Sequence, residues 1–126
     1  MSNVLEKFEG KAFQGGAAAF HGLASQLNQA RTPLIQSDVA SIKYWVRNLS
    51  TNALTKDGVA LTVSEVLAET LDDVDSFGKN FHMTFPDDSF PTAVAHEVIF
   101  EFVASDTDST KTYGKGRISV EAINIA

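Results

Sequence analysis

Hydrophobic and polar residues alternate along several segments of the chain, which is the pattern of half-buried β-strands. The clearest segment is 39–47, where Ile42, Tyr44 and Val46 fall on one face and mostly polar residues fall on the other. Alternation predicts strands in four further segments, namely 17–27, 80–85, 95–104 and 112–125. The polar turn 105–110 joins the last two of these, so we predict that they form an antiparallel hairpin.

The segment 62–75 differs, because its apolar residues recur at the spacing of an amphipathic helix. Within it, Thr62 and Glu65 have the Thr-x-x-Glu spacing of a capping box, so we predict a short helix here. The preceding residues 49–58 are mostly polar and end in Asp57-Gly58, a dipeptide that favours tight turns. We therefore predict a connection without a strand at that point.

Taken together, the pattern predicts about five strands and one short helix, separated by turn signals. Strands do not alternate with helices along the chain, so a parallel sheet is not expected. The predicted fold is mainly β: an antiparallel Ig-like or fibronectin-like β-sandwich over residues 17–126. Residues 1–16 are predicted to be an N-terminal arm. It either frays or becomes ordered on a neighbouring subunit, where Phe8 and Phe13 are interface candidates.

The charge of the chain is unevenly distributed. The 126 residues suit a single domain and carry a net charge of −6. Residues 1–56 hold six basic and three acidic groups, 57–110 hold one and twelve, and 111–126 hold three and one. If the fold keeps these segments apart, the molecule has poles of opposite charge. The alternative is an acidic surface that only keeps the protein in solution.

Composition and motifs exclude several kinds of chemistry. The chain has no cysteine, so disulfides and thiolate sites are excluded. No motif couples a nucleophile to a base, so we expect neither an enzyme nor a cofactor. His21, His82 and His96 lie on separate segments, and we expect no metal site from them. The acidic turns near residues 87 and 106 could converge on calcium, although such residues more often solvate turns, and this question stays open.

Targeting and partner signals are also few. The N-terminal residues include Glu6, Lys7, Glu9 and Lys11 and lack the apolar region of a signal peptide. Apolar stretches fall well short of a membrane span, so we expect synthesis in the cytoplasm and no membrane partner. A net negative charge disfavours general nucleic-acid binding.

Trp45 is the most informative single residue, because it alternates onto the polar face between Lys43 and Arg47. A large aromatic ring flanked by cations on a solvent-facing strand is typical of a protein interface. The alternative is that another element covers Trp45 and the two cations extend past it. Phe90, in the polar loop after residue 86, is a further interface candidate.

A series of motifs runs through residues 30–105. The chain contains Thr32-Pro33-Leu34-Ile35-Gln36-Ser37-Asp38, Thr62-Val63-Ser64-Glu65-Val66-Leu67, Asn80-Phe81-His82-Met83-Thr84-Phe85-Pro86 and Val98-Ile99-Phe100-Glu101-Phe102. This layout resembles short Ig-like proteins encoded among the structural genes of tailed bacteriophages. In those proteins "T-P-L-x-Q-x-D" leads into a strand, and "Y-N-F-x-x-x-x-P" and "Y-x-V-E-F" strands follow. Lys79 and His96 stand here where that pattern has tyrosine.

The resemblance implies a structural role in the virion, as a capsid decoration, neck or tail accessory protein. It implies contacts with copies of itself and with other virion proteins, hence a homo-oligomer in the particle, and it carries no catalytic residue over. The alternative function is a binding module that recognises a glycan or cell-surface ligand through the loops 86–94 and 105–111. In that case Phe90 and Tyr113 would contact the ligand.

Overall fold

The structure, a computed structural model, describes residues 8–25, 32–70 and 79–122, with side chains from residue 11 onwards. Seven β-strands form most of it. In chain order they are β1 (Phe8–Phe13), β2 (Ala18–Gly22), β3 (Val39–Asn48), β4 (Leu54–Leu61), β5 (Phe81–Phe85), β6 (His96–Ala104) and β7 (Lys111–Glu121). A 3₁₀ turn, Gln36–Asp38, precedes β3, and one helical turn, α1 (Val63–Val66), follows β4.

The strands are arranged in two sheets. The larger sheet has the order β1-β7-β6-β3-β4, and the smaller one pairs β2 with β5. The sheets face each other through aromatic rings: Phe100 of β6 stacks on Phe20 of β2 at 5.6 Å and meets Phe81 of β5 edge-on at 5.2 Å. Tyr44 of β3 meets Phe85 in the same way at 5.5 Å. The result is a mainly β, sandwich-like molecule with an aromatic core.

Most of the predicted strands are confirmed, together with the faces they bury. Ile42, Tyr44 and Val46 are buried on β3, and β5 and β6 alternate between buried and more exposed positions over their predicted lengths. The predicted hairpin is present, since β6 pairs antiparallel with β7. Alternation predicts these faces because each strand has one side against the core.

The first strand is a difference from the sequence prediction. Residues 8–13 of the predicted arm instead form β1, which pairs in parallel with β7, so the larger sheet is not purely antiparallel. Ala12 is buried, and the backbone N–H groups of Gln14 and Gly15 donate to the carbonyls of Glu121 and Phe90. Pairing satisfies backbone groups that the edge of β7 would otherwise leave open. Residues 1–7 lie outside the described part.

The predicted connection 49–58 is wrong, because β4 begins at Leu54. The chain reverses earlier, where Asn48 accepts hydrogen bonds from the N–H groups of Ser50 and Thr51, and Asn52 adopts a φ of 64°. Gly58, with a φ of 64°, lies inside β4 at a shift in its register with β3. A glycine at positive φ can supply an extra residue in a bulge as readily as it closes a turn.

The predicted helix is present only as the single turn α1, and the capping box is not formed, since Thr62 makes no side-chain cap. The chain leaves the helix because Leu67 forms a bridge with Phe81 and the Ala68 N–H donates to the Asn80 carbonyl. Strand pairing with β5 therefore replaces further helical turns. Residues 71–75 of the prediction lie outside the described part.

The loop after β5 is anchored on the edge of the larger sheet. Lys56 Nζ lies 2.6 Å from a carboxylate oxygen of Asp88, and the Thr55 hydroxyl donates to the Ser89 carbonyl at 2.7 Å. The hydrogen bond between Lys56 and Asp88 raises the pKa of the amine and lowers the pKa of the carboxyl. Burial raises the pKa of the neighbouring Tyr44 phenol.

In the described ranges, no helix has the length and apolar character needed to cross a membrane.

Candidate functional site

The best candidate for a functional surface is the solvent side of the larger sheet. The "outer face" denotes the outward-pointing residues within the segments 43–47 of β3, 97–101 of β6 and 111–117 of β7. These residues are Lys43, Trp45, Arg47, Glu97, Ile99, Glu101, Lys111, Tyr113, Lys115 and Arg117. The register aligns them in rows across the three strands. In the central row an aromatic, an aliphatic and a basic side chain stand side by side.

A shallow groove of about 280 Å³ lies on this face. It is lined by Trp45, Arg47, Ile99, Glu101 and Tyr113. The Tyr113 hydroxyl donates to a carboxylate oxygen of Glu101 at 3.0 Å, and this hydrogen bond raises the pKa of the phenol. The groove is thus largely apolar, and its one acidic side chain, Glu101, already accepts a hydrogen bond from Tyr113. A hydrophobic side chain from a partner could enter it without displacing any structural element of the described chain.

Trp45 is held at one side of the groove by the bulge in β4. The position where Gly58 would carry a Cβ lies 3.5 Å from the indole Nε1, and the register leaves Asp57 and Gly58 opposite Trp45. A Cβ at that distance would make an ordinary contact with the ring, so the positive φ of Gly58, and not the ring, favours a glycine there. Trp45 is partly covered by β4 of its own sheet, while its remaining surface faces the groove. The ring is thus neither fully exposed nor covered by the helix or the N-terminal strand, and its role at an interface stays a prediction.

Arg47 contributes the main unsatisfied polar group of the groove. Its Nε is buried and has no hydrogen-bond partner, although Glu97 lies opposite on β6. An unpaired buried donor costs free energy, about 1–3 kcal/mol for a neutral group and more for a charged one.

The fold mixes the charged segments on the outer face instead of separating them. β3 and β7 bring basic residues from the beginning and end of the chain to both sides of β6, which carries Glu97 and Glu101. Five basic and two acidic side chains result, and Lys43, Lys111, Lys115 and Arg117 are exposed. The face is thus basic in a chain whose net charge is −6. Counting Asp57 on β4 leaves the balance positive.

The interface candidates from the sequence have different locations. Lys43, Trp45 and Arg47 lie together on the outer face, and Phe13 is 60% exposed on β1 at the same sheet. For Phe8 only the backbone is described, and it pairs with β7. Phe90 is not on the surface: it is fully buried, with its ring 5.3 Å from Phe85 and 5.4 Å from His96. The candidate Phe90 is therefore a core residue, because its loop folds inward.

The two loops proposed to hold a glycan, or calcium, lie apart. Loop 86–94 precedes β6 and loop 105–111 follows it, so the nine residues of β6 separate them. At about 3.3 Å per residue this is a distance of about 30 Å, too far for one small ligand or ion. In the ranges that the structure describes, no three metal-ligating side chains come together.

The histidines also have separate surroundings. His21 and His82 are directly opposite each other on β2 and β5, with ring centroids 6.2 Å apart, a proximity that the sequence did not predict. His96 is fully buried, and its Nδ1 lies 2.8 Å from the Val94 carbonyl. Its Nε2 has no partner.

Two of the five groove residues, Ile99 and Glu101, were not predicted from the sequence, and Tyr113 was predicted only as a ligand contact of the alternative function. The pairing of β3 with β6 and of β6 with β7 brings these three residues beside Trp45. The sequence contained one indication of this arrangement. The predicted antiparallel hairpin of segments 95–104 and 112–125 brings Tyr113 opposite Glu101.

Comparison of the chain with models of protein families and with curated proteins found no match.

Proposed function

We propose that this protein is an Ig-like β-sandwich that acts through protein–protein contacts, as a structural subunit of a tailed-bacteriophage virion. The outer face is its contact surface. Sequence motifs that resemble short Ig-like phage proteins support the virion assignment, and the strand order and the groove support the mode of action. The observation that carries the proposal is the groove that Trp45, Tyr113 and Arg47 line together on the outer face.

The strand order supports the Ig-like assignment. In the immunoglobulin fold, strands C, F and G form one sheet, variable-type domains add C′ beside C, and B and E belong to the other sheet. The order β7-β6-β3-β4 corresponds to G-F-C-C′, and the pair β2–β5 corresponds to B–E. β1 is an additional strand, parallel to β7 at the other edge.

His96 supports the same assignment at the level of one residue. Many Ig-like sandwiches have a tyrosine near the start of strand F whose hydroxyl bonds to the backbone a few residues upstream. His96 is the first residue of β6 and contacts the Val94 carbonyl through Nδ1. It thus holds the corner before β6 with an imidazole where the phage-protein pattern has tyrosine.

The composition of the groove supports a protein partner. Tryptophan, tyrosine and arginine are the residues most enriched among those that dominate protein interfaces, and all three line this groove. A partner that places an apolar side chain between Trp45 and Tyr113 would bury aromatic surface.

The test is incorporation into particles. Virions from the phage that encodes the chain are purified with the wild-type protein or with Trp45→Ala, and the protein is quantified by mass spectrometry. We expect many copies per particle for the wild type and at least about a tenfold loss for the variant, the size of one interface hot spot. Thr84→Ala, on the outward side of β5, is the control and should not change the copy number. Less than one copy per wild-type particle would overturn the proposal.

A further inference from the structure

One end of the molecule gathers acidic side chains from three separate segments. The 3₁₀ turn is tied to α1, since Gln36 Nε2 donates to the carbonyls of Ser64 and Leu67 at 3.3 and 2.9 Å. The Ser105 N–H after β6 donates to the Asp38 carbonyl at 3.1 Å, which brings the β6–β7 turn to the same place.

The acidic residues that this end gathers are called the acidic end. They are Asp38, Glu65, Asp106 and Asp108. All except Asp38 are exposed. This end is thus acidic, although the fold mixes the charged segments on the outer face.

The acidic end and the outer face are complementary in charge and lie on different sides of the molecule. The outer face covers the side of the larger sheet, with the basic groups around the groove, whereas the acidic end lies where β3 begins and β6 ends. Two outer faces pressed together would oppose basic residues to basic residues, because each carries five basic and two acidic side chains. A contact between an outer face and an acidic end places opposite charges together.

We propose that the occupant of the groove is a second copy of this chain, which docks through its acidic end. This inference rests on the proposed function and specifies the partner. Carboxylates of Glu65 and Asp108 of the second copy would face the exposed amines of Lys43 and Lys115 around the Trp45 groove. Because the outer face of one copy contacts the acidic end of the next, the contact is head-to-tail. Its repetition closes a ring or extends a filament, according to the rotation per subunit.

The experiment uses sedimentation velocity of the purified chain and two variants that change only exposed residues. The outer-face variant is Lys43→Glu with Lys115→Glu, and the acidic-end variant is Glu65→Lys with Asp108→Lys. We expect the average sedimentation coefficient of the wild type to rise with its concentration, as it does for a protein that associates with itself. Raising the salt from about 50 to 500 mM should weaken association at least about tenfold, because screening shortens the reach of surface charges. Thr84→Glu is the control for added negative charge and should associate as the wild type does.

Mixing the variants tests the head-to-tail geometry directly. Each variant alone should be monomeric, because its two surfaces then carry charge of the same sign. An equal mixture of the two should associate again, because the intact outer face meets the intact acidic end and the two reversed surfaces are also opposite in charge. Circular dichroism verifies that both variants are folded. A wild type that stays monomeric at low salt, or variants that associate as well as the wild type, would overturn this inference. If the wild type is monomeric yet Trp45→Ala is lost from virions, the partner is another virion protein and the proposed function stands.

Discussion

Asn80 holds two distant segments against β5 with a single side chain. Its Oδ1 accepts from the Ala24 N–H at 2.9 Å, and its Nδ2 donates to the carbonyls of Ala24 and Leu34 at 2.8 and 2.9 Å. The residue is buried, so water cannot replace these bonds without entering the core. One amide therefore bonds to three backbone groups of two segments, and the Ala24 carbonyl also accepts from the Leu34 N–H at 2.9 Å.

Replacing Asn80 by alanine should destabilise the fold strongly. The Ala24 N–H and the Leu34 carbonyl would lose the Asn80 amide, while the Ala24 carbonyl would keep the Leu34 N–H, and we expect a loss of about 2–4 kcal/mol in the free energy of unfolding. Urea denaturation followed by circular dichroism measures this change. Thr84→Ala on the same strand points outward and should change the value by less than about 0.5 kcal/mol. Equal stabilities for the two variants would contradict the role given to Asn80.

Asp106 gives the β6–β7 turn a dependence on pH. Its carboxylate accepts from the Thr110 N–H at 3.1 Å and from the Thr110 hydroxyl at 3.0 Å, and these bonds lower its pKa. Because the pKa in the folded state is below that of the unfolded state, the contribution is present above the ordinary Asp pKa. It is lost as the pH falls through the lowered value.

Carbon-13 NMR of the Asp106 carboxyl group tests this expectation. Its titration midpoint should lie below that of an aspartate in a model peptide, and the Thr110 amide signal should shift over the same pH range. Thr110→Val removes the hydroxyl donor and should raise the midpoint, while leaving the backbone bond in place. A midpoint that is ordinary in the wild type and unchanged in the variant would refute the assignment.

At the scale of elements, strands with one uninterrupted buried side are predictable from their sequence. β5 and β6 alternate throughout and β3 alternates from Ile42 onwards, so their positions and faces follow from the sequence. β4 could not be predicted, because a bulge at Gly58 breaks its alternation and Lys56 reaches Asp88 along its edge. β1 could not be predicted either, because it is defined by pairing with a strand more than a hundred residues away.

Ala12→Asp tests whether β1 belongs to the sheet in solution. Ala12 is buried opposite Val120, so an unpaired carboxylate there should cost about 2–4 kcal/mol in the free energy of unfolding. Lys11→Ser, at an exposed position of the same strand, is the control, and thermal unfolding of both variants gives the comparison. If residues 8–13 behaved as a free arm, Ala12→Asp would be as stable as the control.

At the scale of the whole molecule, the pairing of strands determines both the core and the candidate site. Phe100 contacts rings from both strands of the smaller sheet, so the sheets depend on each other for burial. Trp45 with its flanking cations could be recognised in the sequence as an interface element. The complete groove could not, because the neighbours of Trp45 come from β6 and β7 and depend on register. The outer face is thus a property of the assembled sheet.

The parallel pairing of β1 with β7 determines how the molecule responds to mechanical load. Phe8 lies opposite Gly116 and Phe13 opposite Glu121, so the chain enters β1 at one end of the ladder and leaves β7 at the other. Tension applied between these two points runs along the strands in opposite directions and loads all the ladder hydrogen bonds at once as shear. Such a ladder must slip as a unit, whereas a hairpin pulled at its open end peels one bond at a time. A chain with this pairing resists extension between the beginning of β1 and the end of β7.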